Sequence, residues 1–226
     1  IVFVACASLP RTLAPRQPPG PKLYVFDCGH ISTNDAGLFS DGGEYKGRRL
    51  EFPVRCYLVR HPKGDLQWDT GLSDTSVKNG RTGLVIEGFH LVHTNAYLQQ
   101  LKALGVEPDT VEYLAMSHGH FDHTGNANYF GAATFLVQGD EYDAMFAAKP
   151  PVFFDPATYS ELQKSKVVRL SGDYDVFGDG SVVIKRAAGH TPGSQVLFLK
   201  LARSGPIVLS GDLWHFEENR KFSRVP

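Results

Sequence analysis

Hydrophobic and polar positions alternate over short stretches of this chain, which predicts many short β-strands. The clearest pair is Val54–Arg60 and Leu66–Trp68, two β-branched and aromatic segments joined by a turn at Pro62–Asp65, and this pattern predicts a hairpin. An earlier strand is predicted over Lys22–Asp27. The polar, glycine-rich segment Ile31–Glu51 contains few strand-forming residues, so we expect a long loop there, of the kind that often serves function.

One segment, Thr94–Leu104, has the spacing of a helix. Tyr97 and Leu101 belong to one apolar stripe, and a glycine follows the last apolar position. Either Thr94 or Asn95 is the expected N-cap, because short polar side chains accept hydrogen bonds from the first free N–H groups of a helix.

The second half of the chain predicts strands in two blocks with short helices among them. A buried strand is expected over Val111–Met116. The other predicted strands are Thr134–Val137, Val167–Leu170, Asp175–Phe177, Val182–Ala187, Gln195–Leu201 and Ile207–Leu209, with short helices at Gly125–Phe130 and Asp140–Phe146. This order predicts two sheets packed face to face with helices outside.

Residues 1–21 are expected to lie outside the folded domain. Ile1–Ala7 is apolar and ends in the small-x-small pattern Ala5-Cys6-Ala7, which is typical of the tail of an export signal. A lipid attached to Cys6 and a short first strand are the alternatives. Arg11–Pro21 is proline-rich and predicts an extended linker. The protein is therefore expected to be periplasmic or secreted.

Composition limits the function only broadly. The 226 residues suffice for one well-buried α/β domain over residues 22–226. A formal net charge of −1 gives no basis for nucleic-acid binding, and no apolar run is long enough to span a bilayer. Cys28 and Cys56 lie in strand-like segments and are expected to be small buried residues, not a disulfide.

The most informative chemistry lies at Ser117–His123. His118, His120, Asp122 and His123 place three imidazoles and a carboxylate within six positions. These groups are ligands of zinc and similar divalent metals. Burying them without a partner would be costly, so the sequence predicts a metal site.

Three further polar residues follow predicted strands and have a glycine close by. His190 lies in GHTPGS, Asp212 in SGD and Asp69 in DTG. Strand ends in α/β scaffolds present side chains to a common cleft, so we expect these residues to lie near the first group.

The motifs SHGHFDHTGN, GHTPGS, SGD and DTG, in this order, resemble those of the metallo-β-lactamase fold superfamily. The resemblance extends from Lys22 to the last residue. It implies an α/β fold, an αββα sandwich of two mixed β-sheets flanked by helices, with two divalent metal ions at one edge. It also implies a role for each matched residue: His118, His120 and His190 on one metal, Asp122 and His123 on the second, Asp212 bridging both, and Asp69 supporting the ligands from behind or serving only as a turn residue.

One part of the family pattern is missing. The resemblance implies a seventh ligand, a histidine some tens of residues after Asp212, but only fourteen residues follow it. His215 is too close in sequence to be that ligand. We therefore expect either a C-terminally truncated chain, with part of the domain missing, or an incomplete second metal site.

The segments Phe89–Asn126 and Ser210–Phe216 resemble the N-acyl-homoserine lactonase branch of the superfamily. This implies a metal-dependent hydrolase of lactones, a quencher of bacterial quorum signalling. Asp212 as a bridge argues against the β-lactam-hydrolysing members. The branch has a tyrosine near the lactone carbonyl, and here Trp214 and His215 occupy that neighbourhood. His215 is expected either to donate a hydrogen bond to the substrate or to lie on a surface loop.

The implied chemistry is attack on the lactone carbonyl by a hydroxide that bridges two metals, with Asp122 taking or relaying a proton. Zinc is the expected metal, with iron, cobalt and manganese as alternatives. Phe89 and Trp214, with His215, are the candidate substrate contacts. Other interpretations are a thioesterase like glyoxalase II, another ester hydrolase of this fold, or a member that binds metal without turnover. A homodimer is also expected.

Overall fold

The structure, a computed structural model, describes residues 20–77, 84–86 and 88–224. The expected export segment and Cys6 lie outside the described residues. The strands, in chain order, are β1 (Lys22–Thr33), β2 (Leu50–His61), β3 (Gly64–Trp68), β4 (Leu84–Ile86), β5 (Phe89–Val92), β6 (Tyr113–Ala115), β7 (Thr134–Gln138), β8 (Val167–Leu170), β9 (Tyr174–Asp175), β10 (Val182–Arg186), β11 (Gln195–Leu201) and β12 (Gly205–Leu209). The α-helices are α1 (Tyr97–Ala103), α2 (Phe121–Thr124), α3 (Gly139–Met145) and α4 (Glu217–Phe222).

The described strands form two sheets. The larger has the order β4-β5-β1-β2-β3-β6-β7-β8, and the smaller has the order β12-β11-β10-β9. The larger sheet is mixed, since β3, β6, β7 and β8 are parallel neighbours and its other pairs are antiparallel. The smaller sheet is antiparallel throughout its described pairs, so the expectation of two mixed sheets is wrong for this one.

Two buried clusters follow from the alternation of side chains along the strands. In β2, Cys56 and Leu58 face a cluster that includes Tyr97 and Leu101 of α1. The next residue, Val59, faces the opposite cluster, which lies between the two sheets. No helix among the described residues is long and apolar enough to cross a membrane.

The predicted hairpin is confirmed as β2 and β3. The predicted loop over Ile31–Glu51 is too long at both ends, because Ile31–Thr33 continue β1 and pair with Leu50–Phe52 of β2. The hairpin of β4 and β5 and the helices α2 and α4 were not predicted.

Helix α1 begins later than its sequence suggests. Neither Thr94 nor Asn95 caps it, and its N-cap position, Ala96, has no side-chain hydrogen bond. Asp74 supplies the cap from a distant segment, accepting hydrogen bonds from the N–H groups of Tyr97 and Leu98, both at 2.9 Å. A local sequence pattern cannot reveal a cap of this kind.

The expectation that Cys28 and Cys56 are free thiols is wrong. Both are fully buried, as expected, but they form a disulfide with a Cα–Cα distance of 5.9 Å. The bond joins β1 to β2, two neighbouring antiparallel strands. The two cysteines are 28 positions apart, so only the register of these strands reveals that they meet.

Candidate metal centre

The ends of several strands bring the predicted ligands to one edge of the sheets. β3 and β6 are parallel, and Trp68 pairs with Ala115, so Asp69 and Ser117 leave the sheet at the same edge. The loop after β10 supplies His190, and the turn after β12 supplies Asp212. The structure therefore brings together residues that are more than 140 positions apart in the sequence.

His118, His120 and His190 form the first ligand group. The Nδ1 atom of His120 lies 3.0 Å from Nε2 of His118 and 3.1 Å from Nε2 of His190. Burial holds the pKa of His118 well below its usual value and lowers the pKa of both His120 and His190 to about 4. All three are therefore neutral at pH 7, which is the form that binds metal.

Asp212 lies between two sets of imidazoles. Its Oδ2 atom is 3.7 Å from Nε2 of His190 and 3.9 Å from Nε2 of His118. Its Oδ1 atom is 3.3 Å from Nε2 of His123. Burial opposes the charged form of Asp212, but the facing imidazoles, that of His123 above all, hold its pKa well below the usual range. One carboxylate thus offers an oxygen to each side, as a bridging ligand would.

His123 marks the second position. Its Nε2 atom is 3.5 Å from Oδ2 of Asp122, and its Nδ1 atom is 3.1 Å from Oδ2 of Asp69. Burial alone would lower the pKa of His123, but the carboxylates of Asp122, Asp69 and Asp212 raise it well above the usual value. These carboxylates favour a positive charge here, which suits a cation, and metal binding at His123 would release a proton.

The described residues contain three groups able to hold a metal ion, namely His118 with His120 and His190, His118 with His123 and Asp212, and His190 with Asp212 and His215. Asp122 belongs to none of these groups, although it contacts His123 and lines the same cavity. The donor set of imidazoles and carboxylates fits two adjacent divalent ions, with His123 losing its proton on binding.

Asp69 contacts the loop of the predicted ligands and has a left-handed backbone conformation. It is buried and adopts φ 54°. Its Oδ1 atom accepts a hydrogen bond of 2.6 Å from the N–H of Ser117, and its Oδ2 atom contacts His123. The hydroxyl of Ser117 lies within 3.1 Å of Nδ1 of both His118 and His123. Such contacts fix the orientation of ligating rings.

Glu141, on α3, is a site residue that the sequence interpretation missed. Its carboxylate accepts hydrogen bonds from the N–H groups of Gly119 and Gly193 and from the hydroxyl of Thr191. Burial raises the pKa of Glu141, and these donors oppose the shift. Glu141 and Met145 are the buried residues of the helix. A carboxylate at the same helix face as an apolar residue is therefore the sequence feature that could have identified Glu141.

His215 lies inside the site, not on a surface loop. Its Nε2 atom is 3.4 Å from Oδ2 of Asp212, and its side chain is 10% exposed. Its ring packs against Phe39, with 4.5 Å between ring centroids, and its Nδ1 atom is buried without a hydrogen-bond partner. His215 therefore faces the same oxygen of Asp212 as the three-histidine group.

Five of the six predicted ligands, all except His118, line a cavity of about 680 Å³. The walls are mostly apolar, and all three predicted substrate contacts line them. Phe89 is buried and packs against Phe39 and Phe153, with ring centroids 6.1 Å apart in both pairs. Trp214 is 38% exposed and lies at the opening.

Comparison with known proteins agrees with this fold. A family model described as the metallo-beta-lactamase superfamily matches residues 49–224. The chain is 32% identical over 203 residues to the N-acyl homoserine lactonase AttM of Azorhizobium caulinodans, covering 84% of this chain and 75% of that enzyme. It is 31% identical over 203 residues to the N-acyl homoserine lactonase AiiA of Bacillus thuringiensis subsp. kurstaki, covering 88% and 78% respectively.

A solved structure shares the architecture. It is an N-acyl homoserine lactone hydrolase with the product N-hexanoyl-L-homoserine bound at its catalytic metal centre, 28% identical to this chain, with a TM-score of 0.77. The match covers 92% of this chain and 81% of that one.

Proposed function

The chain belongs to the metallo-beta-lactamase superfamily, and we propose that it is a metal-dependent hydrolase that opens the lactone ring of N-acyl-homoserine lactones. The observation that carries this proposal is Asp212, whose two oxygens face separate imidazole groups at the floor of an apolar cavity. The similarity to N-acyl homoserine lactonases over most of the chain supports the same substrate class.

Two divalent ions, when bound, would supply a hydroxide at neutral pH and polarise the lactone carbonyl. His118, His120 and His190 would hold one ion, Asp122 and His123 the other, and Asp212 both. His215 is directed at the same space and can donate a hydrogen bond from Nε2 to the substrate oxygen. Asp122 can accept and relay a proton as the ring C–O bond breaks and the free hydroxyl forms.

The direct test is acid release from N-hexanoyl-homoserine lactone by the zinc-loaded protein, with a glutathione thioester assayed in parallel. The lactone should be the faster substrate. Among the described residues that line the cavity, Arg55 is the single basic residue of the Lys or Arg type. Its guanidinium pairs with Asp27 at 2.6 Å, so none of these lining residues offers an unpaired Lys or Arg to a glutathione carboxylate. Faster turnover of the thioester would overturn the proposal in favour of a thioesterase.

The apolar walls predict a preference for long acyl chains. Each buried methylene contributes about 0.8 kcal/mol, so we expect the KM of N-decanoyl-homoserine lactone to be at least about 10-fold below that of the N-butanoyl compound. Phe153→Ala should reduce this difference, because Phe153 lines the cavity. Tyr129→Ala is the control, since Tyr129 is 46% exposed and is not a lining residue. Equal KM values for both chain lengths would contradict the prediction.

His215→Ala is expected to lower kcat by about 10²-fold, the typical effect of removing one hydrogen-bond donor to a developing oxyanion. The metal content should stay the same if His215 acts on the substrate. His215→Tyr should recover part of the activity, because a phenol hydroxyl is also a donor. The assay is steady-state kinetics together with metal analysis, and unchanged kcat in His215→Ala would exclude the role.

We also propose zinc as the metal and an oxidising compartment as the location. The mixed imidazole and carboxylate ligands support zinc, which elemental analysis of protein purified without added metal would test.

The Cys28–Cys56 disulfide supports a periplasmic or secreted protein, because disulfides persist in such compartments. Cells would be lysed in denaturant that contains an alkylating reagent, without a reductant, and labelling of both cysteines would contradict this location. The homodimer stays a prediction.

A further inference from the structure

Glu141 is a buried acidic residue that no step of the proposed reaction uses. Its exposure is 2%, and it lies in the first turn of α3. This helix follows β7 directly, and β7 is the parallel neighbour of β6. Glu141 therefore lies at the sheet edge where the metal-binding loops emerge.

One carboxylate joins the two loops that supply the first ligand group. Its Oε1 atom accepts a hydrogen bond of 2.7 Å from the N–H of Gly119, between His118 and His120. Its Oε2 atom accepts hydrogen bonds from the loop that follows His190, at 2.7 Å from the hydroxyl of Thr191 and 2.8 Å from the N–H of Gly193. Buried hydrogen bonds to a carboxylate are stronger than those between neutral groups.

Two glycines make this close approach feasible. A Cβ atom on Gly193 would clash with the backbone N of Glu141, and one on Gly119 would clash with the ring of Phe154 and with the Met145 side chain of α3. The loops can therefore pack against α3 only without side chains at these positions. His120 and His190 are 70 positions apart in the chain, yet their ring nitrogens are 3.1 Å apart.

We infer that Glu141 is a positioning residue that holds the His118–His120 loop and the His190 loop at the spacing needed by the first metal ion. This inference rests on the metal site of the proposed function, but not on the identity of the substrate. Without the carboxylate, the N–H groups of Gly119 and Gly193 would be buried without hydrogen-bond partners. Each loop would then move until its N–H group found another acceptor.

The test is Glu141→Gln, with Asp140→Asn as the matched control. Asp140 is the adjacent acid on the same helix, but its side chain is 62% exposed and pairs with Arg186. Zinc affinity is measured by competition with a chromophoric chelator, and the ligand environment by the visible absorption of the Co²⁺-loaded protein. Neither measurement needs a substrate, so failure of the lactonase assay and failure of this inference are distinguishable.

Glu141→Gln is expected to weaken the binding of one of the two metal ions by about 10- to 100-fold, the usual effect of losing a group that orients a ligand. The Co²⁺ spectrum should change, and excess zinc should restore most of the hydrolytic activity. Asp140→Asn should match the wild type in every measurement. Thr191→Val removes one of the three hydrogen bonds and should give a smaller loss, which keeps the inference testable if Glu141→Gln does not fold. Wild-type metal affinity in folded Glu141→Gln, or in Thr191→Val when Glu141→Gln does not fold, would overturn the inference.

Discussion

Asp212→Ala is expected to lower kcat/KM for the lactone by at least about 10³-fold. The substitution removes the carboxylate that faces both ligand groups. Each bound metal contributes several kcal/mol to the stabilisation of the transition state. A loss of about 1.4 kcal/mol lowers the rate by a factor of ten. Metal content should fall as well. Steady-state kinetics and elemental analysis of the same preparation measure both effects.

Asp143→Ala is the control for this substitution, because the Asp143 side chain is 65% exposed and pairs with Arg169 on the surface. It should keep wild-type kinetics and metal content. Asp212→Asn should be almost as inactive as Asp212→Ala, since an amide has one oxygen and cannot offer a charged ligand to both sides. If Asp212→Asn retained two metals and full activity, the bridging role would be wrong.

Removal of the metal should abolish hydrolysis and destabilise the fold. Dialysis against a chelator is expected to reduce the rate by more than about 10³-fold, and added zinc should restore it. A ligand at 100 times its Kd stabilises the folded state by about 2.7 kcal/mol, so zinc should raise the midpoint of urea unfolding. Persistent activity after complete metal removal would exclude a metal-dependent reaction.

The metal-free protein should be most stable near pH 6.5. Burial lowers the pKa of His120 and His190 to about 4, whereas both groups titrate near about 6.5 in an unfolded chain. Below that pH the unfolded chain takes up protons that the folded one does not, so the free energy of unfolding falls as the pH decreases from about 6.5 to 4. His123 acts in the opposite direction, because its raised pKa provides stability that is lost as the pH rises above about 6.5. Urea unfolding of the metal-free protein between about pH 4 and pH 8 measures the loss of stability on both sides of the optimum.

The sequence by itself determined the chemistry of the site. His118, His120, Asp122 and His123 are consecutive or nearly so, and this short spacing keeps them in one small part of the fold. His190, Asp212 and Asp69 could be identified because each follows a strand predicted from local alternation and has a glycine nearby. The ability to bind a metal depends on the types of side chain present, so it can be predicted from the sequence without a structure.

Only the tertiary structure decided which distant groups meet. Asp74 caps α1 across 23 positions, Cys28 bonds to Cys56 across 28, and Glu141 connects to Gly119 and Gly193 across 22 and 52. The disulfide depends on the register of two strands, and the contacts of Asp74 and Glu141 depend on the packing of a helix against a loop. A local pattern contains neither, because hydrogen bonds and disulfides depend on distance in space and not on separation along the chain.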